Sequence, residues 1–237
     1  MTHETNILIL TAASVGIFHT LLGPDHYIPF IVLSKARGWT IRKTALITFL
    51  CGLGHVGSSV IIGFAGIALG TAVNNLTGIE SARGEIAAWM MISFGFIYMV
   101  WGIRKSVKKK EHHHLHYHPD GKAHDHTHTH VNEHTHFHEK KDYKELTPWL
   151  LFLIFVLGPC EPFIPVLLFP AAQHHFSDMI RVTAVFTLTT TGTMLIMVFI
   201  SLFGLSFVPK PNFQQHMHAL AGGTIFLCGI GIKFMGL

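Results

Sequence analysis

Long apolar runs separated by short polar stretches dominate the chain, and six of them predict membrane-spanning helices at residues 6–33, 44–70, 85–103, 147–169, 179–204 and 216–234. A hydrocarbon core about 30 Å thick demands about 20 apolar residues in a helix rising 1.5 Å per residue, and each run meets that demand. The first run is interrupted at Gly23-Pro24 and the fourth at Gly158-Pro159. Proline lacks an amide hydrogen and disfavours helix at the residue before it, so both helices are expected to break there. A long polar insert separates the third run from the fourth. The pattern predicts an all-α membrane protein in three parts: a three-helix unit over 1–104, a cytoplasmic histidine-rich disordered loop over 105–146, and a second three-helix unit over 147–237.

The two units echo one another. Leu22-Gly23-Pro24-Asp25-His26 is matched by Leu157-Gly158-Pro159-Cys160-Glu161, each followed by a second proline, Pro29 and Pro165. Gly54-His55 in the second run lies at a depth similar to Gly192-Thr193 in the fifth. Three spans per unit reverse the second unit in the membrane, which gives an inverted repeat with broken helices, as in many transporters. Two unrelated Gly-Pro kinks are the plainer alternative, since membrane helices tolerate them.

Composition agrees with the pattern. Of 237 residues 49% are hydrophobic and 13% charged, against about 25% charged in soluble domains. The first run carries Glu4 where a signal peptide has basic residues, and reads as a retained span. Cys51, Cys160 and Cys228 all lie in apolar runs, so they form no disulfide framework. The net charge of +4 reflects basic residues beside spans rather than a nucleic-acid surface. Lys35, Arg37, Arg42 and Lys43, nine residues between 104 and 144, and Lys210 fall on one side, whereas Arg83, Arg181 and Lys233 fall on the other. The positive-inside rule then places the histidine-rich loop in the cytoplasm and both termini outside a cell membrane.

An ionisable group in a span costs roughly 2.5–3.5 kcal/mol on insertion scales and needs a reason to be there. The candidates are His19, Asp25 and His26 in the first run, His55 in the second, and Cys160 and Glu161 in the fourth. His19 and His26 are two helical turns apart, and His55 lies about 17 Å into its span, near the midplane. Imidazole with carboxylate suits transition metals, and such a set can bind an ion loosely enough to release it. Glu161 is also a candidate for a coupling proton. Plainer readings stand beside these: His19 as an interhelical hydrogen-bond donor, Asp25 as a helix cap, Cys160 as packing, Thr189 to Thr191 and Thr193 bonding their own backbone. Gly52, Gly54, Gly57, Ser58 and Ser59 smooth one helix surface for close packing.

Twelve of the twenty histidines fall between residues 111 and 139: His112, His113, His114, His116, His118, His124, His126, His128, His130, His134, His136 and His138. Such tracts bind metals and have too little apolar surface to pack a core. A weak cytoplasmic metal buffer or sensor is expected, with pH sensing as the alternative.

With these residues in place, the chain resembles the nickel/cobalt transporter superfamily, especially its NicO branch of efflux-type permeases. The likeness rests on His19-Thr20-Leu21-Leu22-Gly23-Pro24-Asp25-His26, on Gly54-His55, on the mid-chain histidine-rich loop and on Leu157-Gly158-Pro159-Cys160. Gly23 stands where the uptake branch has a second Asp. The resemblance implies a gradient-driven carrier for nickel or cobalt, efflux slightly favoured, with His19, Asp25, His26 and His55 as ligands. It implies no prosthetic group beyond the transported ion, and partners limited to the bilayer and that ion, with a homo-oligomer left open. A zinc or iron permease and a urease- or hydrogenase-accessory membrane protein are close variants. A metal sensor is a different reading. So is a membrane thiol-redox conductor, because Gly158-Pro159-Cys160 is similar to thiol-transfer proteins of cytochrome maturation. That chemistry needs two thiols; the repeat puts Asp25 opposite Cys160 and leaves Cys51 as substitute. No nucleophile–base pair or phosphate loop points to a soluble-type enzyme.

Overall fold

A computed structural model of the chain describes residues 3–70, 73–108, 112–117, 123–128, 146–173, 175–207 and 216–235. In chain order, α1 (His3–Leu22) leads through a 3-10 turn (Pro24–His26) into α2 (Ile28–Arg37); α3 (Ile41–Ala68) and α4 (Val73–Lys108) follow. After the histidine-rich segment come α5 (Leu146–Leu157), α6 (Phe163–Ala172), α7 (Phe176–Gly204) and α8 (Met217–Ile230), the last ending in a π-helical turn (Gly231–Met235). Five helices among the described residues are long and apolar enough to cross a membrane: His3–Leu22, Ile41–Ala68, Asn75–Val107, Phe176–Gly204 and Met217–Met235. Their outer faces carry exposed Leu10, Ile61, Leu188 and Phe203. Contiguous apolar surface of that extent is untenable in water but matches hydrocarbon, so the chain is a multi-pass membrane protein.

Two expected spans differ in the structure. The third is longer than 85–103 and takes in Glu80 and Arg83, so Arg83 is no loop residue. The fourth is two short apolar helices, α5 and α6, separated at 158–162 where Pro159 and Pro162 interrupt the ladder.

Local chemistry sets the other boundaries. Thr40 caps α3 by accepting from the Lys43 amide at 3.2 Å. Gly38 ends α2 in the left-handed region at φ 63°, which favours glycine. Within the histidine-rich segment, β1 (His112–Tyr117) and β2 (Ala123–His128) pair antiparallel with His112 opposite His128. This departs from the structureless stretch expected there; the alternation of His124, His126 and His128 is a two-residue period, which a strand accommodates. His118, His130, His134, His136 and His138 lie outside the described residues.

α8 packs along α4 backbone to backbone. A Cβ at Gly95 would meet the Phe226 backbone, one at Gly102 the Ala219 backbone, and one at Gly222 the Met99 backbone. Small residues allow this approach where lipid provides no hydrophobic drive between helices. Two apolar clusters flank the centre of the bundle. One gathers Phe30, Leu33, Cys51, Phe155 and Met194. The other gathers Val56, Cys160, Phe163, Ile164 and Phe186.

Candidate functional site

Both interruptions free backbone groups, and the site is built on them. In an unbroken α5 the Phe155 carbonyl would accept from the amide of residue 159, but Pro159 has none. Phe155 O accepts instead from Gly158 N at 3.1 Å and faces His55 Nδ1 at 3.3 Å. The next helical bond, from the Cys160 amide to the Val156 carbonyl, is replaced by an ion pair from α4. Cys160 N donates to Glu80 Oε2 at 3.1 Å, while Arg83 donates to Val156 O at 2.7 Å and to Gly158 O at 3.2 Å. Glu80 and Arg83 bond each other directly, and Ser59 on α3 donates to Glu80 at 2.9 Å. Glu80 is fully buried. The pair thus satisfies the donor and the acceptor that the break orphans.

At the first interruption, extended Gly23 leads into the 3-10 turn that carries Asp25 and His26. His26 Nδ1 faces two oxygens, Gly23 O and Asp25 Oδ1, each at 3.2 Å. His19, His26 and His55 converge: ring centroids are 4.7 Å apart for His19 and His26 and 5.0 Å for His26 and His55. One ligand atom of each lies within 4.8 Å of the other two.

The hydrogen bonds fix the tautomers. Carbonyl oxygens only accept, so the Nδ1 atoms of His26 and His55 both carry hydrogen and donate. Their Nε2 atoms lie 3.3 Å apart; between two neutral rings both would be bare lone pairs, and either a shared proton or a metal ion relieves that contact. His19 Nε2 is buried with no hydrogen-bond partner among the described residues. Three imidazoles converging in this way could hold a metal ion. Nitrogens about 2.0–2.1 Å from a tetrahedral ion lie roughly 3.3–3.4 Å apart, the separation the His26 and His55 Nε2 atoms show.

A cavity of about 400 Å³ adjoins the three rings and is also lined by Asp25, Glu161, Glu85 and Lys233, the last two paired with each other. Of the residues expected at the site, His19, Asp25, His26, His55 and Glu161 therefore share one space. Cys160 does not: it is fully buried in the apolar cluster with Phe163 and Ile164 and is absent from the cavity wall. The threonines divide. Thr189 bonds Val185 O at 2.9 Å as expected, whereas Thr190 and Thr191 hydroxyls are buried without a partner among the described residues. Sequence reasoning missed Glu80 and Arg83, although an acid and a base three apart in a helix are a pairing signal.

Residues 28–231 match the family model described as the cytochrome c biogenesis protein transmembrane region. No curated protein and no solved structure matches the chain. The match covers most of the chain, which therefore belongs to that family. Membership overturns the nickel/cobalt superfamily resemblance and with it the nickel or cobalt carrier reading. The resemblance rested on a few short motifs, and His19, Asp25 and His26 lie ahead of the matched stretch. The Gly158-Pro159-Cys160 likeness to cytochrome-maturation proteins lies within it.

Proposed function

We propose that this member of the cytochrome c biogenesis transmembrane family performs a membrane redox step of that class, with the cavity at His19, His26 and His55 as its centre. The observation that carries the reading is the convergence of His19, His26 and His55, with one ligand atom of each within 4.8 Å of the others. Imidazole ligation suits copper or iron, both of which change oxidation state. Asp25 and the Phe155 carbonyl would orient the His26 and His55 rings from behind, as outer partners of metal-binding histidines do. Glu161 and Asp25 supply carboxylates to the same cavity and would balance its charge. The helix–turn–helix units α1–α2 and α5–α6, each interrupted at Gly-Pro, support an inverted repeat, and the basic loops support the orientation with the histidine-rich segment in the cytoplasm.

A second reading is thiol exchange at Cys160, favoured by its place directly after Pro159 at the break. Cys160 and Cys51 pack in different apolar clusters, so this reading takes a partner thiol from another chain to exchange with Cys160.

The deciding experiment measures two things in parallel. Metal content is measured on purified protein after loading with Cu⁺ or Fe²⁺, and formation of c-type cytochrome is measured in cells lacking the native chain. Once a weak chelator has stripped the histidine-rich segment, the proposal expects about one ion per chain to remain, as one three-histidine site holds. His26→Ala and His55→Ala should lose both the ion and cytochrome formation, whereas a variant with all three cysteines replaced by alanine keeps both. Loss of cytochrome formation in the cysteine-free variant alone would transfer the function to Cys160. Normal formation in every variant would remove the chain from this class of reaction.

A further inference from the structure

A second cavity, remote from the histidines, is built for a different ligand. It holds about 1330 Å³ and opens where the α2–α3 turn, the end of α4 and the start of α5 meet. This is the end of the bundle that carries most of the lysines and arginines. Arg37, Lys43 and Lys105 line it, and no carboxylate does among the described residues. Each cation lies against an aromatic ring: Arg37 over Tyr98 at 5.3 Å, Lys105 over Trp101 at 4.9 Å, and Lys43 over Trp39 at 5.9 Å.

The hydrogen bonds here run one way. Lys105 can only donate, so it gives a hydrogen to His218 Nε2 at 3.2 Å, and the neutral ring carries its own hydrogen on Nδ1. That Nδ1 donates to the Tyr98 hydroxyl at 2.8 Å, which also accepts from Arg37 Nε at 3.1 Å. The Tyr98 oxygen has then filled both lone pairs, and its own hydrogen is left to donate outward. Arg37, Lys43, Lys105 and the Tyr98 hydroxyl thus gather on one wall.

The cavity continues into an apolar groove of about 870 Å³ along α4, sharing Phe94, Ile97 and Leu150 with it and running on past Met90 and Trp89. A cationic head space joined to a largely apolar groove, whose far end reaches Glu85, matches an amphiphile with an anionic head and a long chain. Trp39, Trp101 and Trp149 around it mark the depth of the headgroup layer, where indole rings concentrate. Basic pockets between membrane helices bind lipid headgroups in this way.

We propose that this cavity is a specific site for an anionic phospholipid, its phosphate held by Arg37, Lys43, Lys105 and the Tyr98 hydroxyl and one acyl chain laid in the α4 groove. The site is independent of the histidine centre and does not depend on its reading.

The test is native mass spectrometry of the full chain, delipidated in detergent and offered phosphatidylglycerol, phosphatidylcholine or glycerol phosphate in separate runs. Wild type is expected to retain one phosphatidylglycerol per chain, while phosphatidylcholine and glycerol phosphate leave. Taking roughly fivefold per basic residue near an anionic lipid, Lys43→Gln should weaken retention about fivefold and Arg37→Gln/Lys105→Gln about thirtyfold. Lys43 is exposed, so its variant reports on binding even if the double variant folds poorly. Equal retention of phosphatidylcholine, unchanged retention in Lys43→Gln, or binding of glycerol phosphate as strong as that of the lipid would each overturn the proposal, the last by assigning the site to a soluble anion.

Discussion

Removing the Glu80–Arg83 pair one partner at a time, and then together, measures what the break in the α5–α6 segment costs. Glu80 is fully buried and Arg83 nearly so, with 12% of its side chain exposed. In Glu80→Leu the Arg83 charge keeps its carbonyl partners but loses its counter-charge, and the Cys160 amide loses its acceptor. Breaking a buried pair by deleting one partner costs about 3–5 kcal/mol, because the other charge is left uncompensated. Arg83→Leu leaves Glu80 with two neutral donors, Ser59 and the Cys160 amide, and is expected near the lower end, about 3 kcal/mol. In Glu80→Leu/Arg83→Leu no charge is stranded. What remains is the desolvation of the Cys160 amide and the Val156 carbonyl, about 1–3 kcal/mol for each that stays unpaired. The double variant should therefore cost less than the two single variants added together, with a coupling of about 2 kcal/mol. Equilibrium unfolding in mixed micelles with increasing SDS, followed by tryptophan fluorescence, gives the three values. A double variant as unstable as the sum of the singles would refute the argument: Glu80 and Arg83 would then be two separate contacts rather than one replacement for a lost helical bond.

The other predictions are simpler. Gly222→Leu should abolish the folded state and Gly223→Leu should not, since a Cβ at Gly222 runs into the Met99 backbone whereas one at Gly223 meets only Met99 Sδ at 3.5 Å; circular dichroism and gel filtration separate the two. Maleimide labelling in detergent should modify half-buried Cys228 first and leave Cys51 and Cys160 unreacted until SDS is added; rapid native labelling of Cys160 would contradict its packing. Asp25→Asn should weaken metal binding about 10- to 100-fold without unfolding the chain, the usual effect of losing an outer partner of a ligating histidine; unchanged affinity by metal-competition titration would show that Gly23 O suffices to orient His26.

Much of the centre is legible in the sequence because its histidines stand inside apolar runs, where an ionisable side chain is costly and needs a reason. His19, His26 and His55 were found that way and do meet. The repeat was less reliable in detail. It placed Cys160 opposite Asp25, but the turn at 158–162 takes a different path from the 3-10 turn at Pro24–His26, sending Cys160 into the core and Glu161 to the cavity. Glu80 and Arg83 were hidden because a hydropathy window sees charged residues and ends the span, whereas the structure neutralises them against each other and continues the helix. The carrier resemblance failed for a related reason. Short metal-ligand motifs are local and easily matched, while family membership draws on a diffuse pattern across 28–231 that no single residue announces.

The glycine seam between α4 and α8 divides the molecule mechanically. Contacts made by main chain on main chain have no rotamers to exchange, so the two helices act as one stiff beam along the bundle. Compliance is concentrated where the helices are cut, at 23–27 and at 158–162. His55 bridges those two cuts: its Nε2 meets His26 from the first and its Nδ1 holds the Phe155 carbonyl beside the second. A single imidazole thus ties both hinges to one ring, and bending at either one changes the spacing of the nitrogen atoms at the centre.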